Sequence, residues 1–148
     1  MKFRSLVAAA LIGVSGMSLA YAAGEPQVVR QGMMKKVGGA VGEMAKMVKG
    51  ETPYDVAVAV AQLQIIADTM STYPDQFPVG SETGFESEAA PAIWTNMEDF
   101  KAKSAALQTV AANGVAAAPA DLDAFKAVFG PLTKTCGTCH ETYRLKSS

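Results

Sequence analysis

Five residues near the end of the chain, Cys136-Gly137-Thr138-Cys139-His140, carry the most specific chemistry in the sequence. Two cysteines two residues apart, followed at once by histidine, form the attachment signature of c-type haem, in which both sulfurs add to the porphyrin vinyl groups. On a helix the i, i+3 spacing puts Cys136 and Cys139 on one face, and His140 lies one turn beyond Cys136. Its imidazole can then reach the iron from the tethered side. A structural zinc site would need four ligands, yet these are the only two cysteines and the only histidine in the chain. A thioredoxin-like redox pair would need a βαβ setting, which nothing nearby supplies. A plain disulfide would leave the adjacent histidine as coincidence. The pattern therefore predicts one covalent haem c, with Cys136 and Cys139 as tethers and His140 as an axial iron ligand.

The elements that must position this motif are helical. Leu122, Phe125, Phe129, Leu132, Cys136, Cys139 and Tyr143 make one apolar seam, so the cysteines face a core. The helix carrying them starts near Pro119, and Gly130-Pro131 is expected to bend it, or else to break it in two. Upstream, Val28 to Lys49 reads as a first helix with the seam Met34, Val37, Val41, Met44 and Val48, stopped at Gly50. Met33, Ala40 and Met47 form a second stripe that widens the core or faces a partner subunit. Thr52-Pro53 caps a second helix running to about Thr72, with Asp55 favouring its positive end. Its seam is Val56, Val60, Leu63, Ala67 and Met70. A third helix opens at Pro91 and carries Ile93, Met97, Phe100, Ser104, Leu107 and Ala111 to a stop at Asn113-Gly114. Trp94, one position off that seam, reads as core or edge packing.

Between the second and third helices lies one long connection, Pro74 to Ala90. Pro74, Pro78, Gly80 and Gly84 deny it regular structure, while Phe77 and Phe85 offer apolar anchors. The alternatives are a cover packed over the core and a solvated linker. No strand pattern and no internal repeat appear. Four amphipathic helices with mostly short connections predict an all-α fold, an antiparallel up-down-up-down four-helix bundle.

Residues 1–22 read as a cleaved signal peptide: a basic start at Lys2 and Arg4, an apolar run from Leu6 to Leu19, and Ala20-Tyr21-Ala22 at the cleavage site. A retained anchor is the alternative, against which the run is short and rich in small residues. Cleavage leaves residues 23–148 as one domain, which is long enough for one core. Export fits covalent haem attachment in the periplasm. Losing Lys2 and Arg4 from 13 basic residues leaves 11 against 14 acidic, a net charge near −3. Such a balance, without a basic stripe, argues against nucleic acid and an anionic membrane as partners.

A haem motif in the last of four helices resembles the class II c-type cytochromes, the cytochrome c′ family. The likeness spans the mature chain. It rests on Arg30-Gln31, on Lys49-Gly50-Glu51-Thr52-Pro53-Tyr54-Asp55, on Pro91-Ala92-Ile93-Trp94 and on the motif continued through Glu141-Thr142-Tyr143-Arg144. The family has a five-coordinate branch that binds nitric oxide or carbon monoxide, and a low-spin branch in which a first-helix methionine completes the iron for electron transfer. Arg30-Gln31-Gly32-Met33-Met34-Lys35 is more similar to the low-spin branch, which implies Met34 as the sixth ligand, although five-coordinate members also place a methionine there without ligation. Met34 lies on the inward seam, whereas Met33 is rotated by about 100°. A thioether is a soft ligand, but methionine also fills cores without ligating.

The resemblance further implies that Arg30, with Gln31 as a weaker candidate, pairs with a haem propionate, as suits a guanidinium fork. Arg144, one turn after His140, either tunes the iron electrostatically or serves the helix dipole. Tyr143 and Phe129 are expected to pack the haem pocket. A homodimer through the first two helices follows family habit, and the redox partner is not specified. Peroxidase chemistry would need a distal acid–base group, and the lone histidine is committed, so a carrier rather than an enzyme is expected.

Overall fold

The computed structural model describes residues 24–146, and the signal-peptide segment lies outside the described residues. Helices run over Pro26–Val48 (α1), Val56–Thr72 (α2), Ala92–Thr95 (α3), Met97–Ala117 (α4) and Leu122–Tyr143 (α5), with a 3₁₀ turn at Tyr73–Gln76. No strand occurs among the described residues, whose single β contact is an antiparallel bridge between Ala89 and Arg144. The long helices pack in a ring, α1 on α2, α2 on α4, α4 on α5 and α5 back on α1. This is the four-helix bundle that the apolar seams require, with α3 as an addition.

Local chemistry explains most boundaries. Asp55 is the N-cap of α2, its carboxylate accepting from the Ala57 and Val58 N–H groups at 2.8 and 3.1 Å. The cap is thus Asp55 rather than Thr52. Asp121 caps α5 through the Ala124 N–H at 2.8 Å, so that helix starts at Leu122, three residues after Pro119. α1 stops where Gly50 takes a left-handed φ of 74°.

Two expectations about the third helix fail. The third predicted helix is divided at Asn96 (φ −130°, ψ 45°), so α3 and α4 are separate. Nor does α4 stop at Gly114, but runs on to Ala117. Gly114 is buried where three helices meet: a Cβ there would lie 2.7 Å from Val128 Cγ1 and 2.9 Å from Leu63 Cδ1. Close approach, not termination, explains that glycine. α5 passes Pro131 without a break. Thr133 and Thr135 on the next turn direct their hydroxyls back onto the Phe129, Gly130 and Pro131 carbonyls at 2.9–3.1 Å.

The main core holds Leu63 and Ile66 of α2, Ala111 of α4 and Phe125 and Leu132 of α5, all almost completely buried. Ala40 and Met47 join it at 3% exposure each, so this part of the second stripe of α1 widens the core, while Met33 is half-buried outside it. Phe129, partly buried against this core, meets the Phe125 ring at 5.9 Å in a tilted pair and does not line the cavity described below. A second, aromatic cluster of Phe77, Phe100 and Tyr143, flanked by Tyr73 and Trp94, sits at the other end. Of the two proposed loop anchors only Phe77 is buried; Phe85 is 54% exposed, with a left-handed φ of 52°.

Candidate haem site

A cavity of about 630 Å³ opens between α1 and α5, within the roughly 300–1,000 Å³ typical of cofactor pockets. Protein interiors are close-packed, so a space of this size is a site and not a packing defect. Cys136, Cys139 and His140 line it from α5, and Arg30, Gln31, Met34, Lys35, Val37, Gly38 and Val41 line it from α1. Met70, Tyr73, Phe100 and Leu107 supply the apolar floor, while Glu86, Ser87, Glu88 and Ala89 of the long connection form its rim. Met33 does not line it.

The motif is helical throughout, so both sulfurs project from one side of α5. The thiols are half-buried and unpaired with each other. Burial pushes the pKa of each up, which suits neither a low-pKa redox thiol nor a thiolate metal ligand. Among the described residues no group of three or more His, Cys, Asp or Glu could hold a metal ion. Burial, and then the neighbouring Arg144 charge, pull the His140 pKa down. The neutral imidazole thus favoured is the ligating form. Two adjacent sulfurs, one imidazole and a large, mostly apolar slot between helices fit a covalently held porphyrin, and Met34 faces the same slot from α1.

Tyr143 closes the end of the slot. Its ring meets Phe100 at 5.3 Å and its hydroxyl donates to Asp99 Oδ2 at 2.6 Å. Burial and that hydrogen bond raise the phenol's pKa to about 12.

The polar residues are placed less simply than the motif. Arg30 is only 3% exposed. Its Nη1 donates to the Gln76 carbonyl at 3.4 Å and Ser81 Oγ at 3.0 Å; its Nη2 donates to the Ser81 carbonyl and Ser87 Oγ, both at 2.7 Å. All four Nη hydrogens therefore hold the long connection. The guanidinium also lies over the Phe77 and Trp94 rings, at 4.9 and 5.5 Å. Gln31 donates to the Phe85 carbonyl at 2.6 Å. Arg144 forms an ion pair with Glu88 at 2.6 Å. Arg30, Gln31 and Arg144 thus all line the cavity, and each is engaged with the connection.

Sequence reasoning misses two contributions. Periodicity assigns Met70 to the core, where it lies at 4% exposure, yet it also touches the cavity. The rim from Glu86 to Ala89 bears no signal beyond the length of its loop.

The comparisons with known proteins agree with this geometry. A family model described as Cytochrome C′ matches residues 25–144. A cytochrome c-556 of Agrobacterium fabrum is 48% identical, over 99% of this chain and 98% of that relative. The solved cytochrome c′ of Rhodopseudomonas palustris superposes with a TM-score of 0.81 at 32% identity, covering 84% of this chain and 98% of the other. A nitric oxide complex of a mutant cytochrome c′ from Alcaligenes xylosoxidans gives 0.72 at 33%, covering 84% and 99%. With the pocket and its attachment motif in place, these matches establish that the chain belongs to the cytochrome c′ family of haem c electron-transfer proteins.

Proposed function

We propose that the protein is a periplasmic one-electron carrier whose low-spin iron is held between His140 and Met34. Bound haem supplies reversible one-electron exchange at iron. The chain's own residues do the rest. Cys136 and Cys139 tether the ring to α5, and His140 presents a neutral imidazole on the same helix. Met34 offers a soft sulfur from α1; neutral His/Met ligation favours reduced iron and raises the potential. Met70, Phe100 and Leu107 give the slot an apolar floor, which would keep water from the ring. Arg30 brings a buried positive charge to the rim while its Nη hydrogens hold the connection, and Gln31 completes the polar edge where haem carboxylates would lie. Among the described residues no helix is long and apolar enough to cross a membrane.

The observation that carries this reading is that Met34, and not Met33, lines the cavity that His140 lines from the other helix. Two spectra test it. The oxidised protein is expected to show the far-red sulfur-to-iron charge-transfer band, and Met34→Ala to abolish it; Met70→Ala should leave it intact. A high-spin spectrum in the parent would refute the assignment.

A second reading, a five-coordinate site for nitric oxide or carbon monoxide, is favoured by one observation. Met34 is only half-buried beside the exposed, side-chain-free Gly38, so the α1 wall leaves room for a small ligand. The Alcaligenes relative was solved with nitric oxide. Binding of carbon monoxide by the reduced protein at neutral pH separates the two readings.

A further inference from the structure

The connection between the 3₁₀ turn and α3 crosses the cavity rim as a strap fixed at both ends. At α1, Gln27 Nε2 donates to the Thr83 carbonyl at 2.8 Å, beside the Arg30 and Gln31 bonds already described. At α5, the Ala90 N–H donates to the Tyr143 carbonyl at 3.0 Å and the Leu145 N–H to the Glu88 carbonyl at 2.7 Å. This backbone pairing sets Ala89 opposite Arg144 and brings the neighbouring Glu88 side chain within reach of the guanidinium. Nε of Arg144 then donates to Glu88 Oε2 at 2.6 Å, and Nη2 lies 2.6 Å from the same oxygen as an ion pair. Arg144 is the first residue after α5, its N–H bonded to the His140 carbonyl at 3.2 Å. Glu88, His140 and Arg144 all line the cavity.

We propose that Glu88 is a positioning residue that compensates the Arg144 charge beside His140, so that the iron feels a dipole and not a bare cation. The inference rests on the reading of His140 as the iron ligand. A lone guanidinium near the iron stabilises the reduced, less positive state. A carboxylate held against it cancels most of that field at a distance. Both side chains are about half exposed, so water and salt damp the effect, and the pair contributes little to stability. Removing either partner should therefore leave the fold intact.

The test is a charge cycle read as reduction potential, at neutral pH and low ionic strength, on holoproteins of the parent, Glu88→Gln, Arg144→Gln and the double variant. Glu88→Gln should raise the reduced-to-oxidised ratio at fixed potential by about threefold, roughly 30 mV for a one-electron couple. Arg144→Gln should lower it by a similar factor, and the double variant should return close to the parent. Glu88→Asp should recover most of the parent value, and high salt should shrink every shift. A purely structural role would move thermal midpoints and leave the potentials in place. Unchanged potential in Glu88→Gln, or shifts of the same sign in both single variants, would overturn the proposal. Haem mass and the His140 ligation spectrum, recorded on the same samples, separate that result from a failure of the haem reading itself.

Discussion

The two ends of the bundle solve opposite problems with the same helices. Around Leu63, Gly114 and Phe125 the helices touch, and one missing Cβ at Gly114 permits the approach. Around Met34 and the Cys136–His140 turn the helices stand apart to leave about 630 Å³, and the wall is completed by a loop instead of a helix. Side chains fill the first end, whereas the second is shaped for a ring that chain atoms do not supply. The main core thus includes the closed end, while the open end sets its attachment motif beside a smaller aromatic cluster. The strap, held by a buried arginine, closes off the open end.

The contrast can be broken from either side. The largest effect is expected from Cys136→Ser with Cys139→Ser, which removes both tethers. Mass spectrometry of the exported protein should then find no covalently retained haem, against one per chain in the parent. Next, Leu63→Ala at the closed end should cost about 2–5 kcal/mol, read as a lower denaturation midpoint with the slope unchanged. Its effect on the haem spectrum should be slight. At the open end, Ser81→Ala removes an acceptor from buried Arg30 and should cost about 1–3 kcal/mol, with faster amide exchange confined to the strap.

These differences also mark what the sequence can show. The α5 motif is legible because covalent attachment demands contiguous residues, and the seam from Leu122 to Tyr143 places them inward without tertiary knowledge. Gly114 misleads because glycine serves both helix termination and close approach, and only the positions of Leu63 and Val128 decide between them. Arg30 is recognisable as a site residue, but its partners Ser81 and Ser87 lie more than fifty positions away in a loop without periodicity. Phe77 and Phe85 look equivalent as anchors; the left-handed run Gly84-Phe85-Glu86 turns the second outward. The local code thus describes the helices well and the strap hardly at all.

The smallest effect comes from Tyr143, in the aromatic cluster beside the cavity. Tyr143→Phe should cost about 0.5–1.5 kcal/mol through loss of the bond to Asp99. Its pH dependence has a definite sign. Because the folded phenol titrates at about 12, above its ordinary value near 10, its contribution is complete below pH 10 and is lost as pH rises toward 12. The stability gap between parent and variant should narrow across that window in alkaline denaturation curves.

X-ray absorption at the iron edge of the oxidised holoprotein tests most directly whether a sulfur from α1 and an imidazole from α5 meet at one iron across the open end. A single sulfur scatterer in the inner coordination shell, lost in Met34→Ala, is the predicted result; an inner shell of nitrogen alone, unaltered by that substitution, would contradict it.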